Sequence, residues 1–381
     1  MAFIIRAAPN YSPIPPNFPL LHSNRLKIIE PAFRYLIEQM ELRAHSAETI
    51  RTYGEHLYEW FDALEQSDLS WDQVNEGTIL AYRNRMLEAV SPHTGRPYAR
   101  STINDRIGTV CRFYAWALRR QLIGELPFTF RDAPPVRSGN RGFLAHASGR
   151  PGPINNLIVA EYETLPRPLR VPDLHRLLAA LGMPYRLIAE WAVTTGMRRM
   201  ELCALTVPQI PHSEQLHPDE NAMVGIQLTV TKGGKTRRIY PPLKLVDRTN
   251  WYIGEDRAAL INRRSTKHPE YTPPQQMFLN RRGAPITKAR LSAALADGFA
   301  AAGLDGSVHW LRHTFAMVML VRLQAAAQHN PDINPLKVLQ VLLGHASVET
   351  TAIYLRCVDL HESDVAEAID YLYGQEIGDG H

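Results

Sequence analysis

The chain of 381 residues carries 45% hydrophobic residues and a formal net charge of +4, which excludes a chain disordered for most of its length. It is too long for most single cores, so two domains are expected. The mild surplus of Lys and Arg permits a nucleic-acid partner without requiring one, because only clustered cations neutralise phosphates and release their counterions. Three cysteines, Cys111, Cys203 and Cys357, are too few for a disulfide framework and too scattered for a C-x-x-C metal clip, so a reducing cytoplasm is expected.

The chain opens on a short apolar stretch, but Pro9, Pro13, Pro15, Pro16 and Pro19 break any signal-peptide core or membrane helix. Residues 1–25 are therefore read as an extended, proline-rich arm with no fold assigned, and no membrane partner is expected. From Leu26 to Glu125 the pattern is helical. Ile50, Tyr53, Leu57, Trp60, Phe61 and Leu64 recur on one helix face behind a candidate N-cap, Ser46. A second helix runs through Ile79, Tyr82 and Met86. A third runs through Ile103, Ile107, Val110, Tyr114 and Leu118, with Ser101 as its candidate cap. Arg85, Arg100, Arg106, Arg112, Arg119 and Arg120 fall between the apolar positions and suit either a solvated face or a phosphate backbone.

Residues 126–168 hold a density of Pro and Gly that defeats regular structure and reads as an interdomain linker. Beyond it, from residue 169 to 381, helices return. They are interrupted by alternating Ile226, Leu228 and Val230, the turn residues Gly233 and Gly234, and a second strand near Arg237–Tyr240. Helices are expected near Lys288–Ala302, Leu311–Gln328, Pro335–Leu343 and Glu362–Leu372. The fold class is mainly α with a small β-hairpin, and no internal repeat is present.

Four short motifs of this second domain carry the groups that chemistry could use. In TTGMRRMEL, Arg198 and Glu201 share a helix face, a spacing that ordinarily means a surface ion pair. In TKGGKTRR, Lys232 precedes a tight turn, where lysine ordinarily solubilises a hairpin tip, although a two-stranded ribbon also fits a DNA groove. In VHWLRHTFA, His309 and Arg312 lie one turn apart with His313 adjacent. In LLGHASVETTAIYL, His345 follows an apolar helix end and Tyr354 comes nine positions later, where a tyrosine ordinarily packs half-buried. Each motif alone is ordinary. Together they supply what phosphoryl transfer needs: guanidiniums for the non-bridging oxygens, a mobile proton donor, imidazoles and a hydroxyl nucleophile.

The four motifs, in this order, resemble those of the tyrosine recombinase, or phage-integrase, family, over roughly residues 170–376. Residues 26–125 more loosely resemble its helical core-binding domain, in the runs SAETIRTYGEHLYEWF and STINDRIGTVCRFYAWA. Two features depart from the family pattern: Arg199 stands where an apolar residue is expected, and the segment between Arg312 and His345 is long, calling for an extra loop or an extended helix.

The resemblance implies a catalytic set of Arg198, Lys232, His309, Arg312, His345 and Tyr354, supported by Glu201, acting without metal, cofactor or ATP. It implies cleavage through a 3′-phosphotyrosyl bond, with Lys232 protonating the departing 5′-oxygen, and a core-binding domain and a catalytic domain forming a C-shaped clamp on duplex DNA. The partners implied are a double-stranded recombination site, four protomers on two duplexes and accessory DNA-bending proteins. The setting implied is the cytoplasm, at the nucleoid, for a mobile element or chromosome resolution. A type IB topoisomerase and a DNA-binding relative without catalysis remain the alternatives.

Overall fold

A computed structural model of the chain describes residues 1–10, 13–43, 45–91, 95–131, 154–161, 168–212, 224–231, 236–345 and 347–360. It divides into two units, residues 1–163 and 164–381, each with its own apolar core.

The apolar stripe behind Ser46 folds as helix α2 (Ala47–Gln66). The Ser46 hydroxyl accepts the Thr49 backbone N–H at 3.2 Å, and Ile50, Leu57, Trp60, Phe61 and Leu64 are buried. Helices α1 (Glu30–Glu41), α3 (Glu76–Glu88) and α4 (Arg100–Arg119) complete a bundle closed around Phe113, whose ring meets those of Tyr35, Phe61 and Trp116. Helix α4 starts two residues earlier than the Ser101 cap implied. Its N-cap is Ala99, with no side-chain cap bond, because burial of Ile103, Ile107 and Val110 holds the helix without one. Arg106 is not an outward cation: it is buried, paired with Glu59, and lies 4.7 Å over the Tyr98 ring.

The arm expected at residues 1–25 is corrected by the structure. Strands β1 (Phe3–Arg6) and β2 (Pro19–His22) pair antiparallel, Phe3 opposite His22 and Arg6 opposite Pro19, and bury Leu21 in the bundle core. The prolines permit this because Pro9, Pro13, Pro15 and Pro16 lie in the connection, and Pro19 opens its strand, where a missing N–H is tolerated. The hairpin rests on α2 at Gly54, where an added Cβ would stand 2.5 Å from the Pro19 ring.

The expected linker is corrected at both flanks. Strand β3 (Phe130–Arg131) pairs with β4 (Ile154–Asn155), and Leu157 is fully buried in the first core. The Asn104 amide then reads the chain as a strand would, donating to the Val159 carbonyl and accepting its N–H, both at 2.8 Å.

The second unit is built on α5 (Val171–Ala180), α6 (Tyr185–Thr195) and α7 (Arg199–Ala204), then the hairpin of β5 (Ile226–Leu228) and β6 (Arg237–Ile239). Helices α8 (Leu243–Tyr252), α9 (Ala258–Lys267), α10 (Lys288–Ala301), α11 (Val308–His329), α12 (Pro335–Leu343) and α13 (Glu349–Leu360) follow. In the hairpin, Ile226 faces Ile239 and Leu228 faces Arg237. That register puts Arg237 on the same inner face as three apolar side chains. The long segment after Arg312 is an extended helix: α11 runs on to His329 and packs against α6, α12 and α13. The helix expected over 362–372 lies outside the described residues. No described helix is long and apolar enough to cross a membrane.

Gly54→Ala gains about 0.5–1 kcal/mol of helix propensity but forces Cβ into Pro19, an overpacking cost of about 1–3 kcal/mol. The expected outcome is net destabilisation of the first unit, read as a lower urea midpoint.

Candidate active site

Two helix ends create the floor of the site. Helix α6 closes on Gly196 (φ 62°) and α12 on Gly344 (φ 61°), both left-handed, leaving the last carbonyls of each helix without intrahelical partners. Neither glycine has room for a side chain: a Cβ would stand 2.4 Å from Phe315 at Gly196 and 2.6 Å from the Arg237 side chain at Gly344. These carbonyls, at the negative ends of two helices, accept from three arginines.

Arg312, on α11 and only 2% exposed, donates Nη1 to the Gly196 carbonyl at 2.5 Å and Nη2 to the Leu343 carbonyl at 2.7 Å. Arg237, on β6, donates to the Gly196 carbonyl at 3.3 Å and to the Leu342 carbonyl. Arg198, the residue before α7, donates Nη2 to the Gly344 carbonyl at 3.0 Å. Arg199 turns away and donates to Ser292 at 2.6 Å, so the motif's first arginine is the one in the cluster.

One carboxylate joins two of these arginines. Glu201, at 1% exposure, takes the Arg198 backbone N–H at 2.7 Å as the first turn of α7 forms. It also takes Arg198 Nη1 at 3.2 Å, and Arg237 through Nε at 3.3 Å and Nη2 at 2.6 Å. Burial pushes its carboxyl upward, but the Arg237 hydrogen bonds and charge, with the Arg198 contacts, outweigh that and hold it below the usual range. Three guanidiniums against one carboxylate leave two positive charges in excess. Burial, then the charges of Arg198 and Arg237, bring Arg312 down to about 9, still cationic at neutral pH.

Guanidinium only donates, so the 3.1 Å contact from Arg312 Nη2 makes His345 Nε2 an acceptor and puts the ring proton on Nδ1. Nδ1–H then donates to the Thr351 hydroxyl at 2.9 Å. Burial, then the charges of Arg312, Arg198 and Arg237, bring His345 down to about 3. Tyr354, on α13 and 2% exposed, stacks beside this ring at 6.5 Å and 7°. Its hydroxyl lies 2.9 Å from His313 Nδ1. Burial, then the charges of His309 and Arg312, hold His313 at about 4. His309 is exposed, with its ring 4.4 Å from that of His313.

Of the residues singled out in the sequence, Arg198, Glu201, His309, Arg312, His345 and Tyr354 therefore gather in one place. Lys232 lies outside the described residues. Sequence reasoning missed Arg237 and His313 as members of this cluster. Strand alternation with Ile239 was the available signal for Arg237, and the i, i+4 spacing from His309 was the signal for His313.

This arrangement sets a largely buried, net-positive arginine cluster beside a phenol. The family model described as the phage integrase family matches residues 168–361, and that of the phage integrase N-terminal SAM-like domain matches residues 33–121. The chain belongs to the phage integrase family of tyrosine recombinases. It is 27% identical over 319 residues to the tyrosine recombinase XerC of Halalkalibacterium halodurans, spanning 81% of this chain and 87% of that one. In fold it is similar to the XerH site-specific recombinase bound to a palindromic difH substrate, with TM-score 0.53, 18% identity and coverage of 92% of this chain and 91% of that one. It is also similar to a lambda integrase tetramer bound to a Holliday junction, with TM-score 0.53, 15% identity and coverage of 85% and 76%.

Removing the shared carboxylate leaves the buried arginines uncompensated, so Glu201→Gln is expected to lower stability by about 3–5 kcal/mol, measured by urea unfolding followed through tryptophan fluorescence. The folded chain resists protonating His313 and His345, whereas the unfolded chain takes up those protons below about pH 6.5. Stability is therefore full above pH 6.5 and falls as pH drops toward 4 and 3. His345→Asn is expected to flatten that fall between pH 7.5 and pH 5, in the same urea titration.

Proposed function

We propose that this chain is a site-specific DNA recombinase in which Tyr354 attacks a scissile phosphate and the arginine cluster holds it. One observation carries the reading: Tyr354, 2% exposed, stacks beside the His345 ring, whose Nε2 takes a hydrogen bond from Arg312 of a cluster holding two more positive charges than negative ones. A phosphodiester brings the missing negative charge, and the transition state brings more on its equatorial oxygens.

In this reading Arg198 and Arg312 clamp the non-bridging oxygens. Glu201 and Arg237 hold Arg198 in place, and the neutral His345, through Nε2, orients Arg312. Exposed His309 reaches the phosphate from the first turn of α11. Lys232 protonates the departing 5′-oxygen, a task suited to an ammonium because guanidinium does not give up its proton. The product is a 3′-phosphotyrosyl bond and a free 5′-hydroxyl, whose reversal rejoins the strand without ATP. Positive charge comes from side chains, so no metal or cofactor has a role in the step.

The first unit, matched by the family's SAM-like model, is a second DNA-binding body, with exposed Arg85 and Arg119 as candidate phosphate contacts. Four protomers on two duplexes is the assembly proposed, in keeping with the lambda integrase tetramer on a Holliday junction. Accessory DNA-bending proteins, action at the nucleoid in the cytoplasm and carriage by a mobile element complete the proposal.

The test incubates wild type and Tyr354→Phe with a nicked duplex carrying a candidate site from beside the gene, and scores protein–DNA adduct on a denaturing gel. Adduct from wild type alone is expected, and adduct surviving in the Phe variant would remove Tyr354 as nucleophile. Arg312→Lys, which cannot reproduce the forked contacts to two carbonyls, is expected to cut the cleavage rate by about 10²–10³-fold. Strand exchange between two sites, rather than relaxation of supercoils alone, separates a recombinase from a topoisomerase.

A further inference from the structure

The proton of Tyr354 needs a destination. Phenol with an ordinary pKa of about 10 is a poor nucleophile at neutral pH until a base takes its proton as the bond to phosphorus forms. Both nitrogens of His345 are committed, Nε2 to Arg312 and Nδ1–H to Thr351, and its ring lies parallel to the tyrosine ring rather than at the hydroxyl. His309 is one turn further back and meets the edge of the His313 ring.

His313 does face the hydroxyl. Its Nδ1 stands 2.9 Å from the Tyr354 oxygen, with the rings 5.7 Å apart at 56°. It follows Arg312 directly on α11, so the two carbonyls that pin Arg312 also fix the backbone that aims the imidazole. The groups facing it are Tyr354 from α13, His309 and Arg312 from its own helix, and His345 behind the tyrosine ring.

We propose that His313 is the general base of strand cleavage, accepting the phenolic proton of Tyr354 at Nδ1. The proposal rests on Tyr354 being the nucleophile. The Tyr354 oxygen forms its bond to phosphorus while the phosphorus–5′-oxygen bond breaks. The phenolic proton passes to His313 Nδ1, and the departing oxygen takes a proton from Lys232. In rejoining, the 5′-hydroxyl attacks, its proton returns to Lys232, and His313 returns the first proton to the tyrosine. The imidazole is neutral at working pH and so open to a proton. A weak base suffices, because the phenolic oxygen loses its basicity as it bonds to phosphorus. The bound phosphate also offsets the Arg312 charge that holds the imidazole neutral.

The test is single-turnover adduct formation on the nicked duplex from pH 6 to pH 9, with DNA binding measured by gel shift, for wild type, Tyr354→Phe, His313→Gln and His313→Ala. The expected result is that both His313 variants bind DNA as wild type does. His313→Gln is expected to cleave at least about 10²-fold more slowly at pH 7. Its rate should climb about tenfold per pH unit, as hydroxide replaces the lost base, while wild type stays flat. Added imidazole should partly rescue His313→Ala. Cleavage by His313→Gln within a few-fold of wild type would overturn the proposal. So would a slow rate with the wild-type pH dependence and no imidazole rescue, or loss of DNA binding in both variants, each marking the ring as structural. Adduct from Tyr354→Phe would instead sink the nucleophile assignment itself, an outcome distinct from all of these.

Discussion

Buried like charges repel, and the catalytic unit of this protein is organised around making three of them tolerable. Arg198 and Arg237 share one buried carboxylate, Glu201, which reaches Arg312 only through its charge, so that one partner would leave the trio strongly destabilising. The remaining compensation comes from the carbonyls that end α6 and α12. Helix ends aimed at a common point, left-handed glycines that turn the chain away, and a carboxylate fixed by the first turn of α7 are all consequences of that requirement. The compensation stops short of neutrality, which leaves the cluster with a net positive charge.

The same positive field sorts the imidazoles. Histidine placed among arginines stays neutral, and in this site neutrality has different uses. His345 turns a lone pair toward Arg312 and so fixes that guanidinium, while His313 presents a nitrogen to Tyr354. His309 sits at the exposed start of α11, its ring against that of His313.

Much of this was legible in the sequence because the functional residues sit beside strong local signals. Arg198 follows a Thr-Gly-Met turn, His345 follows a helix-ending glycine, and His309 and Arg312 share one helical turn. The helical face of α2 and its Ser46 cap were legible for the same reason. Arg237 was not, because period-2 alternation says which face a side chain takes but not that a charged one is tolerated there. That depends on Glu201, which is 36 positions away. The amino-terminal hairpin was hidden by proline density. Prolines outside the paired residues look the same in sequence as prolines that would forbid pairing, and what decides is a space on α2, at Gly54, that only the folded bundle defines. The flank of the linker was missed similarly, since Asn104 docks Val159 from 55 positions away.

Most acceptors for the site's guanidiniums are main-chain oxygens: Gly196, Leu342, Leu343 and Gly344 supply them. A codon change can delete a side chain but never a carbonyl, so these contacts lie beyond the direct reach of point mutation. Leu342, only partly buried, contributes its carbonyl whatever its side chain, whereas Leu343 is also held by its place in the core. Mutational damage to this carbonyl scaffold therefore acts chiefly through the two glycines that end the helices.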